Sequence, residues 1–533
     1  MLVVDRIGGR GLRTATTVAE KVYSFLAVAF GLFWLAFLLL RPVIISTLWP
    51  GNESSGYLYP LLAVWLVVTA IYGWLLYRLQ GCCHGVVYAA LLFVLCALPR
   101  LAVLALHHYI PTNDFANYLL YGQCFVQGDF APAADLIANY YQMPKMGGLV
   151  VFNGLLMKLF GSSLLGLQLA NILLTGGICV ALYQLLKPVH RQAAWITALL
   201  WMVYPSNIVS AQIPTNHHGA VLFFLLALLL YQRLLRCEGW HQIILLAVAV
   251  GICLTVSNLI HPSVIVVQLS ILCYTVLAFG YYAQRQHFFC RQNQKLLAAL
   301  LLIFLSGSAV QSLCMQQLQA RQIITDDREI SVLFKLVLGV NQERGGSYVE
   351  DDYTYIRSLS ADEQSEACLQ LLGQRLENPL ETLRFMLQKT DTAWFQRDGY
   401  FYWYHEGALL EFSQQMAELS ETEQAQYWRT VRWIDGAQAL DLLVVRLVYW
   451  LAVLGLWTAG RRFTGDVENV LFFLPLGWTA VIMLTEMQSR YRYPAMPAFF
   501  FLAALGLCAL CQYAGKRRNG NKILDRKAGE NRG

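Results

Sequence analysis

Long apolar runs recur along the whole chain, and they constrain its fold more than any other feature. An α-helix needs roughly 20 apolar residues to cross the hydrocarbon core of a bilayer. The runs are continuous and do not alternate with a period of two, which favours helices over a β-barrel. Only 14% of the residues are charged and 57% are hydrophobic, whereas soluble domains carry roughly 25% charged residues. We therefore predict an all-α polytopic membrane protein.

Charged residues are unevenly distributed. The segment 317–441 holds 21 of the 33 acidic residues but only 11 of the 39 basic ones, so the rest of the chain is strongly basic. Lys and Arg accumulate in the cytoplasmic loops of membrane proteins. The net charge of +6 is therefore attributed to the cytoplasmic loops of a membrane protein, and no nucleic-acid partner is expected.

The basic residues orient the chain in the membrane. Arg6, Arg10 and Arg13 precede the first apolar run, which places the N-terminus in the cytoplasm. Alternating sides from there predicts about 12 transmembrane helices with both termini cytoplasmic. A bacterial cytoplasmic membrane is the expected location, although the same topology would suit an endoplasmic reticulum with the outer loops in the lumen. A further run, Met146 to Phe160, would reverse the sides of all later loops if it crossed. We interpret it as an amphipathic helix at the outer interface.

This topology divides the chain into five parts. The first is an N-terminal tail with two additional transmembrane helices (1–85), and the second is a transmembrane core (86–316) with outer loops 107–163 and 209–218. An extracytoplasmic acidic helical segment (317–441) follows. The chain ends with C-terminal transmembrane helices (442–513), which carry outer loop 486–493, and a basic cytoplasmic tail (514–533).

The first outer loop carries a carboxylate, Asp114, shortly after a predicted membrane helix. An acidic group there is well placed to meet a lipid-borne substrate at the outer leaflet. Alternatively, Asp114 caps the following helix together with Thr112 and Asn113. Arg100 lies upstream in apolar surroundings, where an unpaired charge is costly, and we predict that it pairs with Asp114. Lys158 is expected to extend to the interface.

The last outer loop contains two arginines one residue apart, Arg490 and Arg492, after Glu486. Guanidinium groups bind phosphate through pairs of hydrogen bonds. Alternatively, both arginines anchor the loop at lipid headgroups. They lie on the predicted outer side, against the usual bias of basic residues, which favours the phosphate hypothesis.

Two other sites offer polar side chains. His217 and His218 lie at the start of a predicted helix. Three roles are open for them: metal ligands, hydrogen-bonding groups for the substrate, or plain interfacial histidines. Adjacent side chains in a helix point about 100° apart, and a metal would need further ligands. Lys389 lies in the acidic segment and is predicted either to stand over a substrate cavity or to belong to a solvated helix face.

Four stretches together resemble the polytopic membrane glycosyltransferases of the GT-C class, specifically bacterial relatives of protein O-mannosyltransferases and of the lipid A aminoarabinose transferase (glycosyltransferase family 39). The stretches are Arg100 to Tyr118, Met146 to Leu186, Tyr204 to Arg236 and Glu486 to Gly506. The resemblance covers roughly residues 98–320 and 440–513 and is loose in the acidic segment.

This resemblance implies transfer of one sugar from a polyprenyl-phosphate carrier to an acceptor hydroxyl at the outer face. Asp114 would be the general base, and Arg490 and Arg492 would bind the lipid phosphate. The remaining predicted substrate-binding residues are Asn113, Tyr118, His217, His218, Lys389, Glu486 and Tyr491. The expected acceptor is an envelope polymer, a lipid or a protein, and membrane lipids surround the whole.

The chain departs from the family pattern in its second outer loop, where relatives often have an acidic residue and this chain has His217. That difference suggests another acceptor or a neutral hydrogen-bonding role. The first outer loop has no Asp-x-Asp motif, so neither a metal nor another cofactor is predicted. Two other functions stay open: a polysaccharide polymerase or ligase, and a lipid-linked sugar transporter or flippase.

Overall fold

A computed structural model describes residues 17–40, 55–83, 85–130, 132, 143–321, 323, 330–331, 333–395, 399–414, 420–460 and 463–530. Arg6, Arg10 and Arg13, on which the predicted orientation rests, lie outside these residues. So does most of 131–142 in the first outer loop.

Helices form nearly all of the described chain. In chain order they are α1 (Val18–Leu40), α2 (Ser55–Leu79), α3 (Gly85–Leu106), α4 (Asn113–Gln127), α5 (Met143–Phe160), α6 (Leu164–Leu186), α7 (Arg191–Val203), α8 (Pro205–Ser210), α9 (His217–Arg236), α10 (Trp240–Ile260), α11 (Ile265–Arg285), α12 (Arg291–Ala320), α13 (Phe334–Gly339), α14 (Glu350–Ser358), α15 (Ala361–Arg375), α16 (Pro379–Phe395), α17 (Gly399–Gln414), α18 (Glu421–Gly455), α19 (Glu468–Leu484) and α20 (Met496–Glu530).

The predicted spans coincide with helices. Ten helices within the described residues are long and apolar enough to cross a membrane, whereas α19 and the pair α7 and α8 are shorter. On α2, Val64, Val67, Ile71 and Trp74 are exposed at helical spacing, as on a face that contacts lipid. The predicted all-α, polytopic fold is confirmed over these residues.

Helix α5, the run that was predicted not to cross, begins and ends near one end of the bundle. A Cβ on Gly148 would lie 2.3 Å from the carbonyl oxygen of Leu259, near the end of α10. At its other end, the Ser162 carbonyl, just before α6, accepts a hydrogen bond of 3.2 Å from Gln123. Gln168, near the start of α6, donates to the Gln212 carbonyl, and Asn216 donates to the Ile260 carbonyl at the end of α10. The start of α6 and the end of α10 therefore meet around residues 212–216. Both ends of helix α5 therefore lie near the start of α6 and the end of α10.

The acidic segment has a small hydrophobic core of its own. Its buried members are Ile330, Phe334, Val337, Leu338, Tyr353, Ile356, Ala367 and Cys368. Arg375 donates to both oxygens of Asp352 at 2.8 Å and so ties α15 to α14. Backbone hydrogen bonds join this unit to the last outer loop, from Glu486 N to Lys335 O at 3.1 Å and from Met487 N to Gly346 O at 2.9 Å.

A broken helix lies inside the bundle. Helix α7 ends at Val203, Tyr204 is extended, and Pro205 begins α8, because proline disfavours helical backbone in the residue before it and suits the first helical position. Backbone groups freed by a break within a membrane must find partners in the protein. The fully buried Arg100 donates to the carbonyls of Trp201 and Met202, each at 3.3 Å, at the end of α7. Its predicted pairing with Asp114 is wrong.

The other side of the break has an acidic partner. Asp441 of α18 accepts a 2.9 Å hydrogen bond from the Ser206 amide at the start of α8. Its second oxygen lies 3.5 Å from a guanidinium nitrogen of Arg492, and both side chains are fully buried. Arg492 also donates to the Trp394 carbonyl at 3.0 Å, at the end of α16. One buried ion pair therefore joins α8, α16, α18 and the last outer loop.

Removing one charge of this pair should destabilise the protein strongly. An isolated buried charge costs about 3 to 5 kcal/mol, so Asp441→Asn and Arg492→Met should each lower the Tm of the detergent-solubilised protein by many degrees. The partly exposed pair of Arg236 and Asp466, at 2.6 Å, offers a matched control. Breaking it with Arg236→Met should cost about 1 kcal/mol or less. Equal losses of Tm in the two pairs would contradict the proposed importance of the buried one.

Candidate functional site at one end of the bundle

The predicted outer loops meet at one place. Helix α4 begins there, α9 begins there, and a 3₁₀ turn over Ser489–Ala495 closes the last loop. Arg490 donates to the Asp114 carboxylate at 2.8 Å, which joins two residues 376 positions apart in sequence. The two strongest candidates for chemistry are therefore in direct contact.

Asp114 lies in the first turn of α4 but does not cap it. The cap position is Thr112, whose backbone is extended and whose side chain makes no capping hydrogen bond. The capping alternative for Asp114 is therefore not supported. About a quarter of the Asp114 side chain is exposed, against 6% of Arg490. The carboxylate is accessible from outside, whereas the guanidinium lies behind it.

Asn113 is the residue that sets the direction of Asp114. Its φ is +49°, the one positive value among the described residues other than glycine, and asparagine tolerates this left-handed region better than most residues. Its side-chain amide donates to Glu406 of α17 at 3.3 Å. The Ile110 amide donates to the Gly407 carbonyl at 3.2 Å. Helix α17 thus holds the chain on both sides of this bend.

Aromatic rings surround the Arg490 guanidinium. It lies 4.9 Å from the centre of the Phe115 ring and 5.7 Å from those of Trp403 and Tyr491. Cations are attracted to the faces of such rings, so the group is held in place while Asp114 faces it. Tyr491 is itself held by its carbonyl, which accepts a 2.8 Å hydrogen bond from the Trp478 indole.

Arg492 points away from this site. It is fully buried against Asp441, and its predicted direct contact with a lipid phosphate is not compatible with that position. Tyr118 is also buried, and its ring packs edge-on against Phe115 at 5.8 Å. Burial raises the pKa of Tyr118, and the nearby Asp114 carboxylate adds to that shift. Tyr118 is therefore a buried, neutral side chain close to Asp114.

The two histidines are buried, so they are not plain interfacial residues. His218 hydrogen bonds to the Tyr493 hydroxyl at 2.7 Å and to the Ser210 carbonyl at 3.1 Å. His217 hydrogen bonds to the Tyr400 hydroxyl, and its Nε2 lies 2.9 Å from Nε2 of His261. Within the described part of the chain, no group of three or more His, Cys, Asp or Glu side chains is placed to hold a metal ion.

Lys389 does not lie on a solvated face, and that prediction for it is wrong. It is 2% exposed and donates to the carbonyls of Gly339 at 2.7 Å, Met483 at 3.2 Å and Thr485. Burial lowers the pKa of its amine to about 7, a shift that the Glu486 carboxylate opposes. Lys389 thus ties α16 to the ends of α13 and α19, directly before the last outer loop.

Glu486 has a partner in the acidic segment. Its carboxylate forms a salt bridge with Lys335 of α13, whose side chain is 29% exposed. Glu486 itself is buried. The segment 317–441 therefore contributes a cation to the same end of the bundle as Arg490.

An apolar groove of about 400 Å³ opens beside the site. Its lining is formed by Phe125, Gly148, Val151, Phe152, Leu155, Val256, Leu259, Ile260, Leu313, Cys314, Gln317, Leu318, Arg321 and Ile323. Ile260 directly precedes His261, and Phe152 packs against Gly219 beside the two histidines. The groove between α5, α10 and α12 therefore lies next to residues that flank the histidines of the polar site.

Sequence reasoning missed several residues at this site. His261 follows the end of α10 in a short loop that the predicted topology already puts outside, and its histidine-proline pair was a usable signal. Lys335, Tyr400 and Trp403 belong to the acidic segment, where neither motif nor period distinguishes them from their neighbours. The folded chain brings Lys335 to Glu486, Tyr400 to His217 and Trp403 to Arg490.

A family model described as "Conserved hypothetical integral membrane protein" matches residues 150–509. No curated protein matches the chain in sequence at a significant level.

Two solved structures from Archaeoglobus fulgidus are similar to the chain. One is the archaeal oligosaccharyltransferase AglB in complex with an inhibitory peptide and a dolichol-phosphate, with 14% identity over 82% of this chain and 52% of that chain and a TM-score of 0.43. The other is the oligosaccharyltransferase in the apo form, with 15% identity, the same two coverages and the same TM-score. The chain spans about half the length of these structures.

The lowered pKa of Lys389 predicts a pH-dependent stability. Below pH 7 the folded protein holds a buried charge, and this penalty fades as the pH rises from about 7 toward the ordinary value of about 10.4. Wild type should therefore gain Tm relative to Lys389→Met between pH 6 and pH 9. The exposed Lys187→Met is the control and should follow the wild-type profile. A constant difference between wild type and Lys389→Met would contradict the prediction.

Proposed function

The chain belongs to the family of conserved hypothetical integral membrane proteins, and we propose that it is a glycosyltransferase that moves one sugar from a polyprenyl-phosphate carrier to an acceptor hydroxyl. The contact between Asp114 and Arg490 carries this proposal. It puts a partly exposed carboxylate and a positioned guanidinium side by side near an apolar groove. The motif resemblance to GT-C glycosyltransferases agrees with it.

Asp114 is the proposed general base. The acceptor oxygen attacks the anomeric carbon of the sugar, its proton passes to the Asp114 carboxylate, and the bond between that carbon and the phosphate oxygen breaks. The electron pair leaves on the phosphate. For this step the carboxylate has to exchange part of its contact with Arg490 for the acceptor hydroxyl, within hydrogen-bond reach. Its exposed quarter gives the acceptor access.

Arg490 is the proposed phosphate ligand, and we assign the second cation to Lys335 in place of Arg492. The guanidinium has five N–H donors in a planar fork, so it can hold a phosphate oxygen next to Asp114. Lys335 is partly exposed and its partner Glu486 is buried. Charge that develops on the leaving phosphate is stabilised by both cations in a site that excludes much of the water. Arg492 holds the turn that carries Arg490.

The apolar groove suits the lipid part of such a carrier. Its lining is almost entirely hydrocarbon, and Gln317 and Arg321 are the polar residues in it. It ends near His261, so a chain lying in the groove would present its phosphate toward Arg490. In this arrangement Tyr491 and His217 line the space for the sugar, Asn113 and Tyr118 position Asp114, and Lys389 and Glu486 position the last loop.

We place the protein in a bacterial cytoplasmic membrane with both termini in the cytoplasm and this site on the outer side. The acceptor is an envelope polymer, a lipid or a protein. No observation favours a polymerase, a ligase or a flippase over transfer of a single sugar.

Asp114→Asn should abolish transfer while the protein stays folded. The amide cannot take a proton, and a general base contributes about 10² to 10⁴ in rate. The measurement is sugar transfer from a radiolabelled polyprenyl-phosphate sugar by the purified protein, with Tm as the folding control. Asp129→Asn, just after the same helix, should retain transfer. Full activity of Asp114→Asn would exclude the base role.

Arg490→Ala should weaken binding of a polyprenyl monophosphate about 10- to 100-fold, the value of a charge-assisted hydrogen bond. Arg490→Lys keeps the charge but not the fork and should lose less. The exposed Arg429→Ala is the control. Binding is measured by calorimetry in detergent, and unchanged affinity in Arg490→Ala would remove the phosphate from this position.

A further inference from the structure

The paired histidines His217 and His261 form a buried, uncharged unit beside the charged part of the site. Their two Nε2 atoms are 2.9 Å apart, so one ring donates its N–H to the other. The His217 ring also lies 5.8 Å from the Tyr493 ring at an angle of 16°. Neither imidazole takes up or releases a proton in the transfer step described above.

The charged side chains near the two histidines form two salt bridges. Arg490 and Lys335 both act on His261, and burial together with these two cations lowers the pKa of His261 to about 3. Each cation contacts a carboxylate, Asp114 or Glu486. The other titratable groups around the pair are His218 and the tyrosines Tyr400, Tyr491 and Tyr493. The charges of Arg490, Lys335, Asp114 and Glu486 therefore sum to zero, and Lys389 acts on Glu486 but on neither imidazole of the pair.

A phosphodiester that enters this site brings a negative charge that none of these groups balances. Burying an uncompensated charge is costly. The phosphate would also offset the repulsion that Arg490 and Lys335 exert on His261. The nearest group that can gain a positive charge is then the imidazole pair.

The hydrogen bonds around His217 can accept an added proton. Nδ1 of His217 is bonded to the Tyr400 hydroxyl, and that hydroxyl lies 3.0 Å from Oγ1 of Thr215. Either of the two hydroxyls can donate to the other. If His217 carries the proton on Nδ1, Tyr400 turns from donor to acceptor and passes its own hydrogen bond to Thr215. His217, Tyr400 and Thr215 stay hydrogen-bonded to one another in this reversal.

We propose that the His217 and His261 pair takes up one proton when an anionic lipid phosphodiester binds, so that binding of the donor is coupled to protonation. This inference rests on the proposed function, because it requires a phosphate next to Arg490. It adds a role for the second outer loop and for His261.

Calorimetry with methyl farnesyl phosphate tests the proposal. This diester stays a monoanion between pH 4 and pH 9, so a proton taken up cannot belong to the probe. Binding heats are measured at pH 6 in two buffers of different ionisation enthalpy. We expect uptake approaching one proton per bound diester, with an affinity that falls by up to tenfold per pH unit as pH rises. The neutral analogue farnesol should show no uptake.

Variants locate the proton. His261→Gln and His217→Gln should bind the diester without uptake, while the exposed His241→Gln should behave as wild type. Wild-type binding with the same heat in both buffers would overturn this inference and leave the proposed function standing. Uptake that persists in both glutamine variants would also overturn it. If the diester does not bind to folded wild-type protein at all, both the inference and the proposed phosphate site fail.

Discussion

The burial of charge inside the helical bundle is the constraint on which the site depends. Pro205 breaks a membrane-buried helix, and the break leaves carbonyls of α7 and amides of α8 that lipid cannot satisfy. Arg100 meets the carbonyls and Asp441 meets the Ser206 amide. Because Asp441 needs a counter-charge, it fixes Arg492, and with it the turn that presents Arg490. The helix break at Pro205 thus determines where the last outer loop lies.

The two arginines of that loop have different tasks for a geometric reason. In a 3₁₀ turn there are three residues per turn, so side chains two positions apart point in different directions. Arg490 turns outward to Asp114 and its aromatic neighbours, while Arg492 turns into the bundle. An extended loop would have put both on one side, which is the arrangement that the spacing alone had suggested.

Much of the fold follows from the sequence because a bilayer permits few alternatives. Apolar run length predicts the helices, and alternation of sides predicts that Asp114, His217 and Arg490 belong to one end of the bundle. The sequence does not show which distant residues contact one another in the folded chain. Arg100 was assigned to Asp114 because the two are close in the chain, but the carbonyls of a distant broken helix hold it. Lys335 has no local signature, and the histidine-proline pair at His261 does not show that His261 meets His217, because both partners lie more than 40 residues away in sequence.

The central claim is that a lipid phosphate sits at Arg490 with its chain in the groove between α5, α10 and α12. The most direct test is photocrosslinking of the purified protein with a polyprenyl phosphodiester that carries a diazirine on its lipid chain, followed by peptide mapping. The account predicts labelling within residues 148–155, 256–260 and 313–323, and competition by unlabelled diester. Labelling confined to other helices, or labelling that the unlabelled diester does not reduce, would contradict it.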